Sequence, residues 1–191
     1  TGIMYDGSVL PYEENLANTK KAVELAAKYG ASVEAELGSM GVRESGAGDG
    51  SGAEDATKIY TDPKLAKEFV KDSGIDALAC SFGTTHGIYL TKPQLDFDVV
   101  KNVRTETAGV PIVMHGGSGV SKEDFRTCIE AGVRKINYFT YMDKSAGVAA
   151  AEYIARLKEG EPIFYSNIIK VAEAAMKDNI MEAMKVFAVL D

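Results

Sequence analysis

The chain has two histidines, and both stand in the same kind of place. His115 closes the apolar run Pro111-Ile112-Val113-Met114 and opens the turn Gly116-Gly117-Ser118-Gly119. His86 follows the apolar stretch that ends at Phe82, and Gly87 comes directly after it. Two imidazoles delivered just past strand ends can share a divalent metal ion. A glycine-rich turn behind one of them leaves backbone N–H groups unshielded, which suits a phosphate. Taken singly, either histidine could cap or pack, and the turn could serve positive φ alone. The repeated context is what points to a shared site.

Carboxylates and an amide fall at similar places. Glu36 lies near the end of the strand-like run SVEAEL, Ser32–Leu37, and a carboxylate there needs a cation, an arginine or water. Glu34 shares its face, because strand side chains alternate, and could support a neighbour. Asp6 follows Ile3-Met4-Tyr5 and precedes Gly7-Ser8, so it is either a metal ligand or the cap of a turn. Asn137 could hold a substrate hydroxyl or simply turn the chain. Arg134 and Lys135 could balance phosphate charge or stand idle at the surface.

The elements that must position these groups alternate. Strands are expected at Ile3–Tyr5, Ser32–Leu37, Asp76–Phe82, Pro111–Met114 and Lys135–Phe139. Helices are expected from Pro11 to Tyr29, after Asp62-Pro63 to Gly74, over Phe97–Thr107, from a capping box at Ser121–Asp124 through Ala131, and over Asp143–Lys158 and Asn167–Val189. Ser39–Lys58 is polar and aperiodic. It reads as a solvated loop or as a lid that would keep water from a reactive intermediate. Alternating strands and helices imply a parallel α/β sheet. No GxGxxG follows the first strand, which weakens a dinucleotide-binding alternative. Candidate groups at strand C-terminal ends suit a (β/α)8 TIM barrel, which needs about 250 residues. Five units would leave such a barrel open, and the chain begins inside a strand without an initiator Met. Both features suggest a piece of a longer polypeptide.

The totals set outer limits. The 191 residues are enough for one domain with a sizeable core. No apolar run approaches the ~20 residues of a membrane span, and no secretory signal is visible at the front. A net charge of −7 argues against non-specific nucleic-acid binding. Cys80 and Cys128 lack CxxC spacing and read as buried free thiols, which fits a reducing, cytoplasmic setting.

Six blocks then carry a resemblance in order along nearly the whole chain: MYDGSVLPYEEN at Met4–Asn15, VEAELG at Val33–Gly38, YTDP at Tyr60–Pro63, GTTHG at Gly83–Gly87, HGGSGV at His115–Val120 and RKIN at Arg134–Asn137. Together they resemble the class II (zinc-dependent) fructose-bisphosphate aldolases and their tagatose-bisphosphate relatives. The resemblance implies a TIM barrel, present here as its C-terminal five βα units over residues 1–191. It implies a metal-dependent lyase that splits fructose 1,6-bisphosphate into glycerone phosphate and glyceraldehyde 3-phosphate, a step of glycolysis. Breaking a C–C bond beside a ketone leaves a carbanion, which zinc stabilises by polarising the carbonyl.

By the same resemblance, His86 and His115 correspond to zinc ligands, and Glu36 and Asp6 to alternative or second-metal positions. Gly87, Gly116, Gly117, Ser118, Asn137 and Thr140 correspond to positions around glycerone phosphate. The implied cofactor is one or two Zn2+ ions, with a monovalent cation as a further candidate. The implied partners are a sugar bisphosphate and further copies of the chain, with no nucleic acid and no membrane.

Two departures matter. The family's third zinc histidine and its catalytic aspartate belong on a strand before Ile3–Tyr5, upstream of Thr1. Where the family usually reads Asn-x-Asn/Asp-Thr-Asp, this chain reads Asn137-Tyr138-Phe139-Thr140-Tyr141. That change leaves tagatose bisphosphate or another ketose bisphosphate open as substrate. A non-catalytic phosphate- or metal-binding remnant, and a parallel-sheet enzyme using no metal, are the rival readings.

Overall fold

A computed structural model of the chain describes residues 1–38, 42–43, 60–87 and 93–188, with the backbone alone at 42, 43 and 86. The chain divides into two compact units, Thr1–Asn137 and Tyr138–Asp191.

The first unit is built on five parallel strands: β1 (Gly2–Tyr5), β2 (Ser32–Leu37), β4 (Ala77–Cys80), β6 (Ile112–Met114) and β7 (Val133–Ile136). Their order in the sheet is β1-β2-β4-β6-β7, so each strand lies beside the one before it. A doubly wound sheet reverses direction partway; this one does not. Right-handed crossovers then put every connecting helix on the same face, the winding of a (β/α)8 barrel. Those helices are α1 (Tyr12–Ala27), α2 (Pro63–Ser73), α3 (Phe97–Glu106) and α4 (Lys122–Ala131). Two further residue pairs, β3 (Val42–Arg43) and β5 (His86–Gly87), form a small parallel ladder of their own.

Helix ends follow local chemistry. Asp62 Oδ1 accepts hydrogen bonds from the Lys64 and Leu65 N–H groups at 2.9 Å, and Pro63 needs no partner for an N–H it lacks. Gly74 closes α2 in the left-handed conformation. Ser121 Oγ caps α4 through the Asp124 N–H.

Alternation sorts each strand's side chains between two faces. Val33, Ala35, Leu37, Leu78, Cys80, Ile112 and Met114 take the helix side and are all buried. Ala66 and Phe69 of α2, Val100 and Val103 of α3, and Phe125 and Cys128 of α4 are buried as well and complete the core. The opposite face carries Glu34 and Glu36 of β2, in register with Ala77 and Ala79 of β4. Ala79 is in turn in register with Val113 of β6.

Most elements fall within two residues of the sequence expectations, and the differences are clearest in the last three. The last strand spans Val133–Ile136 rather than Lys135–Phe139, because Val133 continues the apolar core while Asn137 and the residues after it leave the sheet. The first closing helix is α5 (Thr140–Ala155), three residues earlier than its first acidic residue suggested. The second is α6 (Tyr165–Phe187). Most of Ser39–Lys58 lies outside the described residues.

In the second unit α5 and α6 form a helical hairpin. The Tyr138 hydroxyl donates to Asn179 Oδ1 at 3.0 Å, and its ring meets Phe187 edge-on at 6.0 Å. Asn167 Nδ2 donates to the Tyr153 hydroxyl at 3.2 Å. Among the described residues, no helix is long and apolar enough to cross a membrane.

Candidate metal centre

His115 leaves β6 two residues after Val113 and therefore keeps to the carboxylate face. Its Nε2 lies 2.8 Å from Glu34 Oε1, and its Nδ1 lies 3.1 Å from Glu36 Oε2. Strands β2 and β6 are two spacings apart, about 9–10 Å. The intervening strand presents only the methyl groups of Ala77 and Ala79 on this face, so Glu34 and Glu36 can reach across it. All three polar side chains are buried: His115 is 6% exposed, Glu34 7% and Glu36 1%.

Lys135 completes the cluster. Its Nζ lies 2.8 Å from Glu34 Oε2 and donates to Asn137 Oδ1 at 2.6 Å. A register shift between Ile112 and Val113 decides this. Ile112 pairs with Val133, but Val113 pairs with Lys135, so Arg134 is skipped. Without that bulge, Val113 would pair with Arg134 and Lys135 would turn to the helix side. Arg134 instead donates to the carbonyls of Ile129 and Val133.

The charges respond to this packing. Burial alone would lower the His115 pKa, but hydrogen bonds to Glu34 and Glu36, with their negative charge, outweigh it and raise it to about 9. Burial alone would raise Glu34, but hydrogen bonds from His115 and Lys135 outweigh it and hold the carboxyl below its usual range. The metal-free cluster is thus an imidazolium clamped between carboxylates, with an ammonium behind one of them.

Glu36 is fixed from behind. Asn15 of α1, 1% exposed, donates from Nδ2 to the Glu36 carbonyl at 2.9 Å and accepts from the Thr19 hydroxyl. Thr61 secures the strand ends, donating to the Leu37 carbonyl at 2.5 Å and accepting from the Ser81 N–H at 2.8 Å.

The glycine turn packs on the other histidine's loop. Gly116 has φ +66°, and a Cβ there would strike the backbone carbonyl of Thr85, the residue before His86. Gly117 and Ser118 are buried beyond it, shortly before the N-terminus of α4. The two histidine-bearing segments therefore touch through backbone. Of His86 the backbone alone is described, as part of β5; Gly87 beside it is buried. Asp6 sits exposed at the end of β1, where its Oδ1 accepts from the Ser8 N–H and hydroxyl, a turn-capping arrangement. Asn137 stands at the rim past β7, and Thr140 opens α5 in the second unit.

Sequence reading left Glu34 without a firm role and gave Lys135 either a phosphate-balancing role or an idle place at the surface. The same-face alternation could have signalled Glu34. The bulge that selects Lys135 has no sequence signature. Cys80 and Cys128 are buried free thiols, and their pKa values are pushed up to about 12, mainly by burial.

Comparison with known proteins places this fold. The crystal structure of the YdjI aldolase from Escherichia coli K12 superposes with a TM-score of 0.79 at 36% identity, covering 97% of this chain and 60% of that one. A putative fructose-1,6-biphosphate aldolase from Coccidioides immitis gives a TM-score of 0.77 at 28% identity, covering 98% of this chain and 62% of that one. The fold is thus a run of consecutive βα units of an aldolase-type (β/α)8 barrel. The family model described as fructose-bisphosphate aldolase class-II matches residues 1–190, and the chain belongs to that family. Among curated relatives, the D-tagatose-1,6-bisphosphate aldolase subunit GatY of Klebsiella oxytoca is 40% identical over 185 residues, 96% of this chain. The chain spans 62% of that relative's length.

Proposed function

We propose that this chain carries the metal-binding and phosphate-binding part of a class II aldolase that cleaves a ketose 1,6-bisphosphate. The observation that carries this is His115 held between Glu34 and Glu36 at the start of the HGGSG turn.

The residues present fit a metal. Among the described residues no group of three His, Cys, Asp or Glu side chains is arranged to hold a metal ion, but His86's side chain stands outside that set. Glu36 Oε2 is buried and faces His115 Nδ1 at 3.1 Å, with no further hydrogen-bond partner among the described residues. Two ligands of one tetrahedral zinc, each about 2.0–2.1 Å from it, stand about 3.4 Å apart. His115, Glu36 and His86 are the proposed holders, with Asp6 a candidate for a second ion. Bound there, zinc would serve as a Lewis acid toward a ketone oxygen.

The chain's own groups do the rest. Glu34 accepts the Nε2 proton of His115 and so keeps Nδ1 for coordination. The backbone N–H groups of the Gly116-Gly117-Ser118 turn, with Gly87, receive a substrate phosphate at the mouth of the sheet. Asn137, at the same rim, donates its amide N–H to a substrate hydroxyl. By the family resemblance alone, Thr140 is a further candidate for the phosphate.

Fructose 1,6-bisphosphate is the substrate that the family description supports, giving glycerone phosphate and glyceraldehyde 3-phosphate. The similarity to GatY, and Phe139 and Tyr141 after Asn137, favour tagatose 1,6-bisphosphate as a second reading. The two sugars differ only in configuration at C4, so cleavage yields the same products. Initial rates with each bisphosphate, measured before and after chelation and after zinc addition, test both parts. Zinc-restored cleavage of either sugar supports the proposal. Failure to cleave both with zinc bound would favour the non-catalytic alternative.

A further inference from the structure

We infer that Lys135 is a positioning residue, whose ammonium pins Glu34 against His115 Nε2 so that Nδ1 is the nitrogen presented to Glu36 and a metal. The inference rests on the metal reading above and deepens it. Three observations support it. Glu34 is buried and both its oxygens are engaged, Oε1 by His115 and Oε2 by Lys135. A carboxylate that accepts from one side only can swing about its last torsion; one gripped at both oxygens cannot. The second observation is the bulge opposite Ile112 and Val113, which turns Lys135 rather than Arg134 onto this face. A solvated ion pair would need no such irregularity, since either cation would serve at the surface. Third, the same ammonium binds Asn137 Oδ1 at 2.6 Å. It thereby turns the amide's N–H edge away from itself and couples the rim residue to the carboxylate behind His115.

Removing Lys135 should therefore disturb His115 through Glu34. The test compares wild type with Lys135→Met, Lys135→Gln and Lys135→Arg. The imidazole nitrogens are followed by 15N NMR in metal-free protein, and zinc affinity by competition with a chromophoric chelator. Lys135 is half-exposed, and circular dichroism checks that each variant folds. The expected result is a moved or broadened His115 Nε2–H signal in the Met and Gln variants, with zinc bound about 10-fold more weakly. Lys135→Arg should restore most of both. An unchanged His115 ring signal in the Met and Gln variants overturns the inference, as does a changed signal with unaltered zinc affinity. If wild type itself binds no zinc, the metal reading fails, and the ring signal alone decides the role of Lys135.

Discussion

Glu34 Oε1 stands 2.8 Å from His115 Nε2 although 81 positions separate the two residues in the chain. The contact crosses an entire strand, and it exists because that strand offers alanine at both facing positions. A buried imidazole held by a buried carboxylate is the arrangement that fixes a metal-ligating histidine in one tautomer. Most of the functional account follows from this pair.

Replacing Glu34 by Gln should weaken zinc binding without unfolding the protein. The amide keeps the shape but loses the charge that holds the Nε2 proton and pairs with Lys135. A loss of roughly 10- to 100-fold in zinc affinity is expected. Competition with a chromophoric chelator measures it, and an unchanged affinity would remove Glu34 from the account.

Metal-free protein should lose stability as pH rises through the titration of His115. Its folded pKa, about 9, lies above the ordinary 6.5. The stabilisation is therefore complete below about pH 6.5 and lost by about pH 9–10, on the order of 1–3 kcal/mol. Glu34 works the other way: its lowered pKa gives stability that is lost as pH falls through it. Urea unfolding of wild type and His115→Gln at about pH 6 and about pH 10 checks the sign. The gap between them should narrow at the higher pH.

Asn15→Ala should cost both stability and metal. It deletes a buried amide that holds the Glu36 carbonyl and the Thr19 hydroxyl. A destabilisation of about 1–3 kcal/mol is expected from the partners left unsatisfied. Denaturant melts measure it, and zinc titration should show weaker binding because Glu36 loses its support.

Gly116→Ala should be among the most damaging small substitutions. The position has φ +66°, and the new methyl would collide with the Thr85 carbonyl. Backbone strain alone costs about 1–3 kcal/mol. The collision adds to it and pushes the His86 loop off the glycine turn. Thermal melts, and the affinity for inorganic phosphate, should both fall.

Cys80 and Cys128 should resist alkylation in the folded state. Both are fully buried, with pKa values near 12. Iodoacetamide at mildly alkaline pH should label neither thiol until denaturant is added, as mass spectrometry would show.

Much of the fold could be read from residue order. Asp62-Pro63, Gly74 and Ser121 mark helix ends because their chemistry is local, and each acts where expected. Period-two alternation placed Glu34 beside Glu36. What escaped was set by pairing between distant strands. The register shift opposite Ile112 and Val113 chooses between two adjacent cations, and neither strand's sequence announces it. Val133-Arg134-Lys135-Ile136 carries two charges among four residues, which hid the true start of β7. The ladder of Val42–Arg43 on His86–Gly87 is too short to leave a periodic signal. The strand-end context and the resemblance both pointed to His115 as a candidate ligand; the carboxylate that reaches it over two alanines is set by strand pairing, which residue order does not announce.

The central claim is that His115 and Glu36 hold a zinc ion required for cleavage. Anomalous difference density at the zinc edge, from crystals of zinc-loaded protein that is active on a ketose bisphosphate, tests it most directly. The account predicts a peak bonded to His115 and Glu36, absent in His115→Ala crystals whose cleavage is abolished. Zinc bound elsewhere, or full cleavage by the His115→Ala protein, would contradict it.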